Sequence, residues 1–275
     1  MSEFMKTLAA ILVLFSILTG SLFAKAPITV AAKSGVMKKE IPALVILPDD
    51  YEKSGKSYPV IYLLHGFGGN YQTWYHIKPN LPELATSNQV IFVLPDGATS
   101  WYWDSPVNQN LKYETYVAKE LVDFIDSSYR TIKSPKGRAI AGLSMGGHGA
   151  MWLALRHKDV FGAAGAISGG VDIRPFPKNW DMAKNLGEYS SNKDVWDAHT
   201  VINQVDGLKN GELAIYIDCG FSDFFYQVNL NLHNKLLQMK IDHDYLARPG
   251  AHNNAYWNNA IDYNILFFKK FFSKN

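Results

Sequence analysis

The sequence predicts an α/β fold in which a doubly wound, mostly parallel sheet carries helices on both faces. Short apolar runs rich in β-branched residues alternate with segments of helical spacing. These runs are continuous, which is typical of strands that are buried on both faces, and a glycine-flanked serine follows one of them directly. The chain has 275 residues, of which 47% are hydrophobic and 19% charged, so we expect one large domain with a packed core.

The predicted elements can be placed in chain order. We expect strands at residues 28–32, 43–47, 60–64, 90–94, 138–141, 161–167, 213–217 and 243–247. We expect helices at residues 116–129, 150–155, 228–239 and 256–272. Residues 171–211 are polar and contain proline, which predicts a long excursion with short helices of the kind that shapes a substrate cleft.

Residues 1–26 are predicted to be a secretory signal peptide. Lys6 precedes a short apolar core at residues 8–18, and Ala24-Lys25-Ala26 offers small residues for cleavage, with cleavage after Ala24 as the alternative. The core is shorter than the about 20 residues of a bilayer-spanning helix, although an uncleaved amino-terminal anchor is the other interpretation. We therefore expect a secreted or periplasmic protein, without stable membrane insertion after cleavage, whose single α/β domain occupies residues 27–275.

Charge and cysteine content give no reason to expect a nucleic-acid partner, an intramolecular disulfide or a metal site. A net charge of +2 gives no reason to expect a nucleic acid as partner. Cys219 is the only cysteine, so no intramolecular disulfide can form. No cysteine and histidine cluster has the spacing of a metal site, and we predict no metal.

The segment Gly142-Leu143-Ser144-Met145-Gly146 carries the main chemical signal. It joins the predicted strand at 138–141 to helix-compatible residues, as the Gly-x-Ser-x-Gly nucleophile elbow of an α/β-hydrolase does. The two glycines are needed because side chains at the sharp turn would collide with the strand and the helix. The alternative is a glycine-rich turn in which Ser144 has no chemical role.

The base and the acid of a triad should follow the serine in the order acid, then histidine. Of the eight histidines, only His252 lies in the turn after the last predicted strand, at the carboxyl edge where it could reach Ser144. Asp218 and Asp223 both follow the penultimate strand. Asp218 falls where that strand is still ending, whereas Asp223 lies in the loop beyond, so we favour Asp223 and keep Asp218 as the alternative.

A tetrahedral oxyanion needs two prepared N–H donors. One candidate is the backbone N–H of Met145, at the start of the helix after Ser144. The other is the backbone N–H of Phe67 in His65-Gly66-Phe67-Gly68-Gly69, a variant of the HGGG-type loop. A simple glycine turn is the alternative interpretation of this segment.

An aromatic segment is a candidate for substrate binding. Trp101, Tyr102 and Trp103 follow the strand predicted at 90–94 and so lie at the edge where clefts form. Their rings could hold a phenolic acyl group or a sugar. Equally, they could pack a loop onto the domain.

Four segments together resemble the esterase D, feruloyl esterase and antigen 85 group of α/β-hydrolases, which is carbohydrate esterase family 1-like. They are residues 60–70 (VIYLLHGFGGN), 142–147 (GLSMGG), 218–223 (DCGFSD) and 249–252 (PGAH), and the likeness runs from about residue 28 to 272. The resemblance implies an α/β-hydrolase catalytic domain and a serine carboxylesterase with Ser144, Asp223 and His252 as triad, Phe67 and Met145 at the oxyanion site, and no cofactor. Phe221-Ser222 departs from the small or polar residues usual in the acid motif.

The resemblance also implies a class of substrate. An exported member of this group is expected to remove feruloyl or acetyl esters from plant polysaccharide, so the partner is a small-molecule or polysaccharide-linked ester. An acyltransferase of the antigen 85 type is one alternative, and an S-formylglutathione hydrolase-like esterase, which fits the signal poorly, is another. A binding protein that kept the fold would be expected to lack a triad member, and all three candidates are present. The oligomeric state does not follow from the sequence.

Overall fold

The computed structural model describes residues 25–274, in which eight strands form one sheet. The strands are β1 (Ile28–Ser34), β2 (Lys39–Ile46), β3 (Val60–Leu64), β4 (Ile91–Pro95), β5 (Arg138–Leu143), β6 (Ala163–Ile167), β7 (Ala214–Gly220) and β8 (Asp244–Arg248). Each of the eight predicted strands overlaps one of these. The predicted signal peptide falls almost wholly outside the described residues.

The strand order across the sheet is β1-β2-β4-β3-β5-β6-β7-β8. β2 pairs antiparallel with β1 and with β4, and every pairing from β4 to β8 is parallel. The predicted doubly wound, mostly parallel sheet is thereby confirmed. Since parallel strands end at the same edge, the turns after β3, β5, β7 and β8 meet there, although they are far apart in the chain.

Helices cover both faces of the sheet. The α-helices of the described residues are α1 (Tyr51–Ser54), α2 (Thr73–Ile77), α3 (Leu81–Asn88), α4 (Tyr113–Thr115), α5 (Leu121–Ser128), α6 (Met145–Arg156), α7 (Met182–Leu186), α8 (Lys193–Ala198), α9 (Val201–Gln204), α10 (Tyr226–Gln238) and α11 (Asn254–Ser273). Short 3₁₀ turns lie at Pro135–Gly137, Tyr189–Ser191 and Val205–Gly207, and a π-helix at Tyr116–Glu120.

Two apolar layers hold the helices on the sheet. Side chains alternate along β3, so that Tyr62 belongs to the apolar cluster that includes residues of α5, α6 and α10. Leu63 belongs to the cluster on the other face, with residues of α2, α3 and α11. Every residue of β3, β4, β5 and β6 is buried. This explains why these strands appear in the sequence as continuous apolar runs.

The helices differ from prediction in several places. The sequence pattern did not predict α1, α2, α3 and α4, which have three to eight residues and are too short for a clear 3.6-residue period. The predicted helix at 116–129 is divided, because its first part is the π-helix. The carboxylate of Glu120, at the end of that π-helix, accepts hydrogen bonds from the Ser34 hydroxyl and from the backbone N–H groups of Gly35 and Val36, which ties it to the β1–β2 turn.

Two further properties concern residues 25–274. None of the helices in this part of the chain is both long and apolar enough to cross a membrane. Within the same residues, no three histidine, cysteine, aspartate or glutamate side chains are grouped closely enough to hold a metal ion.

Candidate active site

Ser144 lies in the sharp turn between β5 and α6. Its backbone has φ 55° and ψ −118°, an unfavourable conformation for a residue with a side chain. Hydrogen bonds hold the turn: the Ser144 N–H donates to the Ile167 carbonyl at 3.0 Å, and the His148 N–H donates to the Ser144 carbonyl at 3.0 Å. The predicted elbow geometry is therefore present, with the hydroxyl at the carboxyl edge of the sheet.

Two glycines allow this turn to pack closely. A Cβ on Gly142 would overlap the backbone of Gly146, and a Cβ on Gly146 would overlap the carbonyl of Leu64 at the end of β3. Any side chain at these positions would push α6 away from the sheet. The close approach of α6 to β3 and β5 thus explains why the motif needs both glycines.

Hydrogen bonds connect Ser144, His252 and Asp223. The Ser144 Oγ lies 2.9 Å from His252 Nε2, and His252 Nδ1 lies 2.9 Å from Asp223 Oδ2 and 3.1 Å from Oδ1. A carboxylate can only accept, so Nδ1 carries the proton and the neutral ring accepts at Nε2 from the serine hydroxyl. The Asp223 side chain is 0% exposed and also accepts from the Phe225 N–H at 2.8 Å.

Two loops bring the acid and the histidine together. Asp223 follows β7, and His252 lies in residues 249–253 between β8 and α11. The Phe221 N–H donates to the Arg248 carbonyl at 2.9 Å, and the Ser222 N–H donates to the Gly250 carbonyl at 2.9 Å. Backbone hydrogen bonds therefore join the two loops on either side of the imidazole.

Asp218, the alternative acid, has different partners. β7 continues to Gly220, so Asp218 lies inside the strand, where it is completely buried. It accepts from the hydroxyls of Tyr216 and Tyr256 and pairs with Arg248, and burial raises the pKa of its carboxyl despite these partners. Within residues 25–274, the carboxylate bonded to His252 is that of Asp223.

Both oxyanion candidates lie at this edge of the sheet. Met145 is the first residue of α6, where backbone N–H groups have no intrahelical acceptor, and Phe67 lies in the loop after β3. Neither N–H has a hydrogen-bond acceptor in the described part of the chain. Their role in oxyanion binding stays a prediction, supported by this placement.

His65 anchors the loop that carries Phe67. Its ring is buried, donates from Nδ1 to the Gly66 carbonyl at 2.8 Å and accepts at Nε2 from the Gly97 N–H at 2.8 Å. Both ring nitrogens are thus used in the neutral form. Burial lowers the pKa of His65, which keeps it in that form.

The predicted substrate-binding role of the aromatic segment is not supported by its position. Trp101, Tyr102 and Trp103 are each at most 1% exposed. Trp101 and Trp103 stack at 5.5 Å with ring planes 17° apart, and the Tyr102 hydroxyl donates to the His65 carbonyl at 3.1 Å. The second interpretation, an aromatic patch that packs a loop onto the domain, describes what the structure contains. A run of aromatic residues in a predicted loop does not distinguish substrate binding from packing of the loop onto the domain.

His148 links this aromatic patch to the elbow. Its buried ring accepts at Nε2 from the Trp103 indole N–H at 2.8 Å and donates from Nδ1 to the Gly170 carbonyl at 3.0 Å. Protonation would remove the acceptor. Burial lowers the pKa of His148 from 6.5 to about 3, so the ring is neutral near pH 7.

We expect His148 to make folding stability depend on pH. Below pH 6.5 the unfolded chain takes up a proton at this residue and the folded chain does not, so stability present above pH 6.5 is lost as the pH falls toward 3. Between pH 8 and pH 5 the loss is about 2 kcal/mol in the free energy of unfolding. In urea unfolding, His148→Gln should lose about 2 kcal/mol less than wild type over this range. His76→Gln, which changes an exposed histidine, should follow wild type, and an equal loss in all three proteins would contradict the prediction.

His252 is surrounded by aromatic rings that the sequence analysis did not assign to the site. Phe224, which is 50% exposed, lies 4.2 Å from the imidazole between ring centroids, and Trp257 lies 4.9 Å from it with its plane at 88°. Trp180, from the excursion between β6 and β7, stacks on Phe224 at 5.6 Å. The sequence signal that could have identified Phe224 was an apolar residue in a turn next to the predicted acid.

Comparisons with known proteins show the family to which the chain belongs. A protein family described as "Putative esterase" matches residues 34–268. An esterase of Mycobacterium tuberculosis is 36% identical over 239 residues, which are 76% of this chain and 51% of the relative, so the chain spans about half the length of that relative. An acetyl esterase of Caldicellulosiruptor saccharolyticus is 29% identical over 250 residues, covering 83% of this chain and 92% of the relative.

Solved structures show the same fold. A ferulic acid esterase superposes with a TM-score of 0.77 at 28% identity, over 90% of this chain and 100% of the other. A fluorophosphonate-binding serine hydrolase of Staphylococcus aureus superposes with a TM-score of 0.80 at 24% identity, over 89% of this chain and 98% of the other. At that identity the second likeness concerns the fold alone.

Proposed function

Because the chain belongs to the esterase family that matches residues 34–268, we propose that it is a serine carboxylesterase, with Ser144, His252 and Asp223 as its catalytic triad. The observation that carries the proposal is the pair of 2.9 Å hydrogen bonds that joins the three side chains in the order hydroxyl, imidazole, carboxylate. In this order each group can pass or stabilise one proton.

The first step acylates the serine. His252 Nε2 takes the hydroxyl proton while Ser144 Oγ attacks the ester carbonyl, and Asp223 stabilises the imidazolium that results. The carbonyl oxygen becomes an oxyanion, which the N–H groups of Met145 and Phe67 would bind. The tetrahedral intermediate then collapses: the carbon–oxygen bond to the alcohol breaks, and the imidazolium gives its proton to the departing alcohol.

The second step releases the acid. Water enters in place of the alcohol, and His252 takes a proton from it as the oxygen attacks the acyl-enzyme. The bond to Ser144 Oγ breaks, the same proton returns to that oxygen, and the carboxylic acid leaves. Both steps balance with water as the only co-reactant, so they need no metal or organic cofactor.

For the substrate we propose feruloyl or acetyl esters of plant polysaccharide. The curated acetyl esterase and the solved ferulic acid esterase among the similar proteins support these two acyl groups. The ring of Phe224, half exposed beside His252 and backed by Trp180, favours the aromatic one, because a flat phenolic group can stack there. A polymeric substrate outside the cell also agrees with the export proposed for residues 1–26.

Phe224→Ala should separate the two acyl groups. We expect kcat/KM for methyl ferulate to fall about tenfold, because a stacked aromatic pair and its buried area contribute on the order of 1.4 kcal/mol, and kcat/KM for 4-nitrophenyl acetate to change by less than about threefold. Steady-state kinetics on both esters and on acetylated xylan measure this.

Phe221→Ala is the matched control, since Phe221 is also half exposed in the same loop but packs against Tyr226. Equal losses on both esters in Phe224→Ala would assign that ring to the support of His252 instead of to the substrate. A wild-type enzyme that deacetylates xylan and leaves methyl ferulate intact would establish the small acyl group. No turnover of any ester would contradict the proposed function.

A further inference from the structure

A buried carboxylate next to the proposed triad has no part in the steps above. Asp218, in β7, is 0% exposed and accepts from the Tyr216 hydroxyl at 2.9 Å, from Arg248 Nη2 at 2.9 Å and from the Tyr256 hydroxyl. A carboxylate is costly to bury, and three donors with one guanidinium charge compensate for that cost. We expect such an arrangement to fix the positions of the elements that supply the donors.

Two of the three donors stand at the two ends of the His252 loop. Arg248 is the last residue of β8, and Tyr256 is in the first turn of α11. Residues 249–253, which include His252, form the connection between these two elements. Both ends of a five-residue loop are therefore attached to the same carboxylate, on a strand in the sheet.

The rings and backbone around the loop leave it little room to move. A Cβ on Gly250 would overlap the Tyr256 ring, and a Cβ on Gly220 would overlap the Gly250 carbonyl, so the loop backbone lies against both β7 and Tyr256. The Arg248 guanidinium lies over the Tyr256 ring at 5.0 Å from its centroid. The Tyr256 hydroxyl thus holds in place the ring on which the loop backbone rests.

We propose that Asp218 is a positioning residue, which through Arg248 and Tyr256 sets the place of His252 between Ser144 and Asp223. The proposal rests on the proposed function of His252 as the base. The His252 ring lies 2.9 Å from Ser144 Oγ and 2.9 Å from Asp223 Oδ2, and displacement of the loop by about 1 Å would lengthen one or both hydrogen bonds beyond productive geometry.

Tyr256→Phe and Tyr216→Phe form a matched pair for the test. Each removes one hydroxyl donor to the Asp218 carboxylate and leaves the ring in place. Tyr216, however, lies in β7 itself, two residues before Asp218, and its side chain forms no hydrogen bond or ring contact with residues 249–253. We expect kcat for 4-nitrophenyl acetate to fall about tenfold in Tyr256→Phe, with KM within about twofold of wild type. In Tyr216→Phe we expect kcat within about twofold of wild type, although urea unfolding should show comparable losses of stability.

A second readout follows the imidazole directly. The proton between His252 Nδ1 and Asp223 should give a low-field resonance in one-dimensional proton NMR, which reports this hydrogen bond without any turnover. We expect it to broaden or move upfield in Tyr256→Phe and to stay unchanged in Tyr216→Phe. If Tyr256→Phe does not fold, Arg248→Lys, which keeps the charge and loses the planar fork, replaces it with the same readouts.

An unchanged resonance in Tyr256→Phe, or in Arg248→Lys where that variant replaces it, would overturn the positioning role. Equal losses of kcat in Tyr256→Phe and Tyr216→Phe would overturn it as well. His252→Ala separates this result from the proposed function. If His252→Ala retains wild-type turnover, the catalytic assignment fails, while the NMR comparison still tests whether Asp218 orients the ring.

Discussion

Ser144→Ala is expected to lower kcat for 4-nitrophenyl acetate by about 10⁵- to 10⁶-fold, the loss typical of removing the nucleophile of a triad. The hydroxyl is placed to attack, since it lies 2.9 Å from His252 Nε2, which can take its proton. Loss of one oxygen leaves the strained turn and its backbone hydrogen bonds in place, so the midpoint of urea unfolding should stay close to that of wild type. Steady-state kinetics and urea unfolding of the purified protein measure kcat and the unfolding midpoint.

Ser168→Ala is the matched control for this substitution. Ser168 also has a positive φ, 49°, and also follows a strand of the sheet, β6, but the hydrogen bonds of the His252 ring go to Ser144 and Asp223 and not to Ser168. We expect its kcat to remain near that of wild type. Turnover by Ser144→Ala at a rate close to wild type would reject the nucleophile assignment.

Asp223→Asn is expected to lower kcat by about 10⁴-fold while the protein stays folded. An amide at this position can donate to Nδ1, which would place the ring proton on Nε2 and leave no acceptor for the serine proton. The hydrogen bond from the Phe225 N–H can still be made to the amide oxygen, so the loop is retained. Kinetics on 4-nitrophenyl acetate together with urea unfolding measure both effects.

Asp218→Asn should lose more stability and less kcat than Asp223→Asn. It removes the charge that faces Arg248 in the interior, and breaking a buried pair costs about 3–5 kcal/mol in the free energy of unfolding. Its kcat should fall far less than that of Asp223→Asn, on the order of tenfold, through displacement of the His252 loop. A larger loss of kcat at 218 than at 223 would show that the acid is wrongly assigned.

The strands and the serine could be predicted because each depends on local sequence. Strands buried on both faces need continuous apolar runs, and the elbow needs small residues at 142 and 146 because α6 lies against β3. His252 could be proposed from chain order and from its place in the turn after the last predicted strand, since in a parallel sheet that turn comes to the same edge as the elbow.

The choice between Asp218 and Asp223 could not be settled from the sequence. The two residues are five apart, and which of them meets His252 depends on β7 continuing to Gly220 and on the backbone hydrogen bonds between the two loops. Strand ends are set by tertiary pairing, in this case with β8, and not by the residues of the strand itself.

The rings beside the proposed triad were likewise beyond sequence reasoning. Trp180 reaches Phe224 only through the path of the excursion between β6 and β7, which has no periodic pattern. Trp101 and Trp103 are buried by contacts with His148 and its neighbours. An aromatic run in a loop is compatible with either packing or substrate binding. Such assignments need coordinates because they depend on contacts distant in the chain.

The most direct test is covalent labelling with diisopropyl fluorophosphate, followed by digestion and mass spectrometry of the peptides. In wild-type protein we predict one modified residue, Ser144, since an activated hydroxyl at the elbow should react first. In folded His252→Ala we predict that this modification is lost. Label on a different residue, or undiminished label on Ser144 without His252, would contradict the proposed relay of serine, histidine and aspartate.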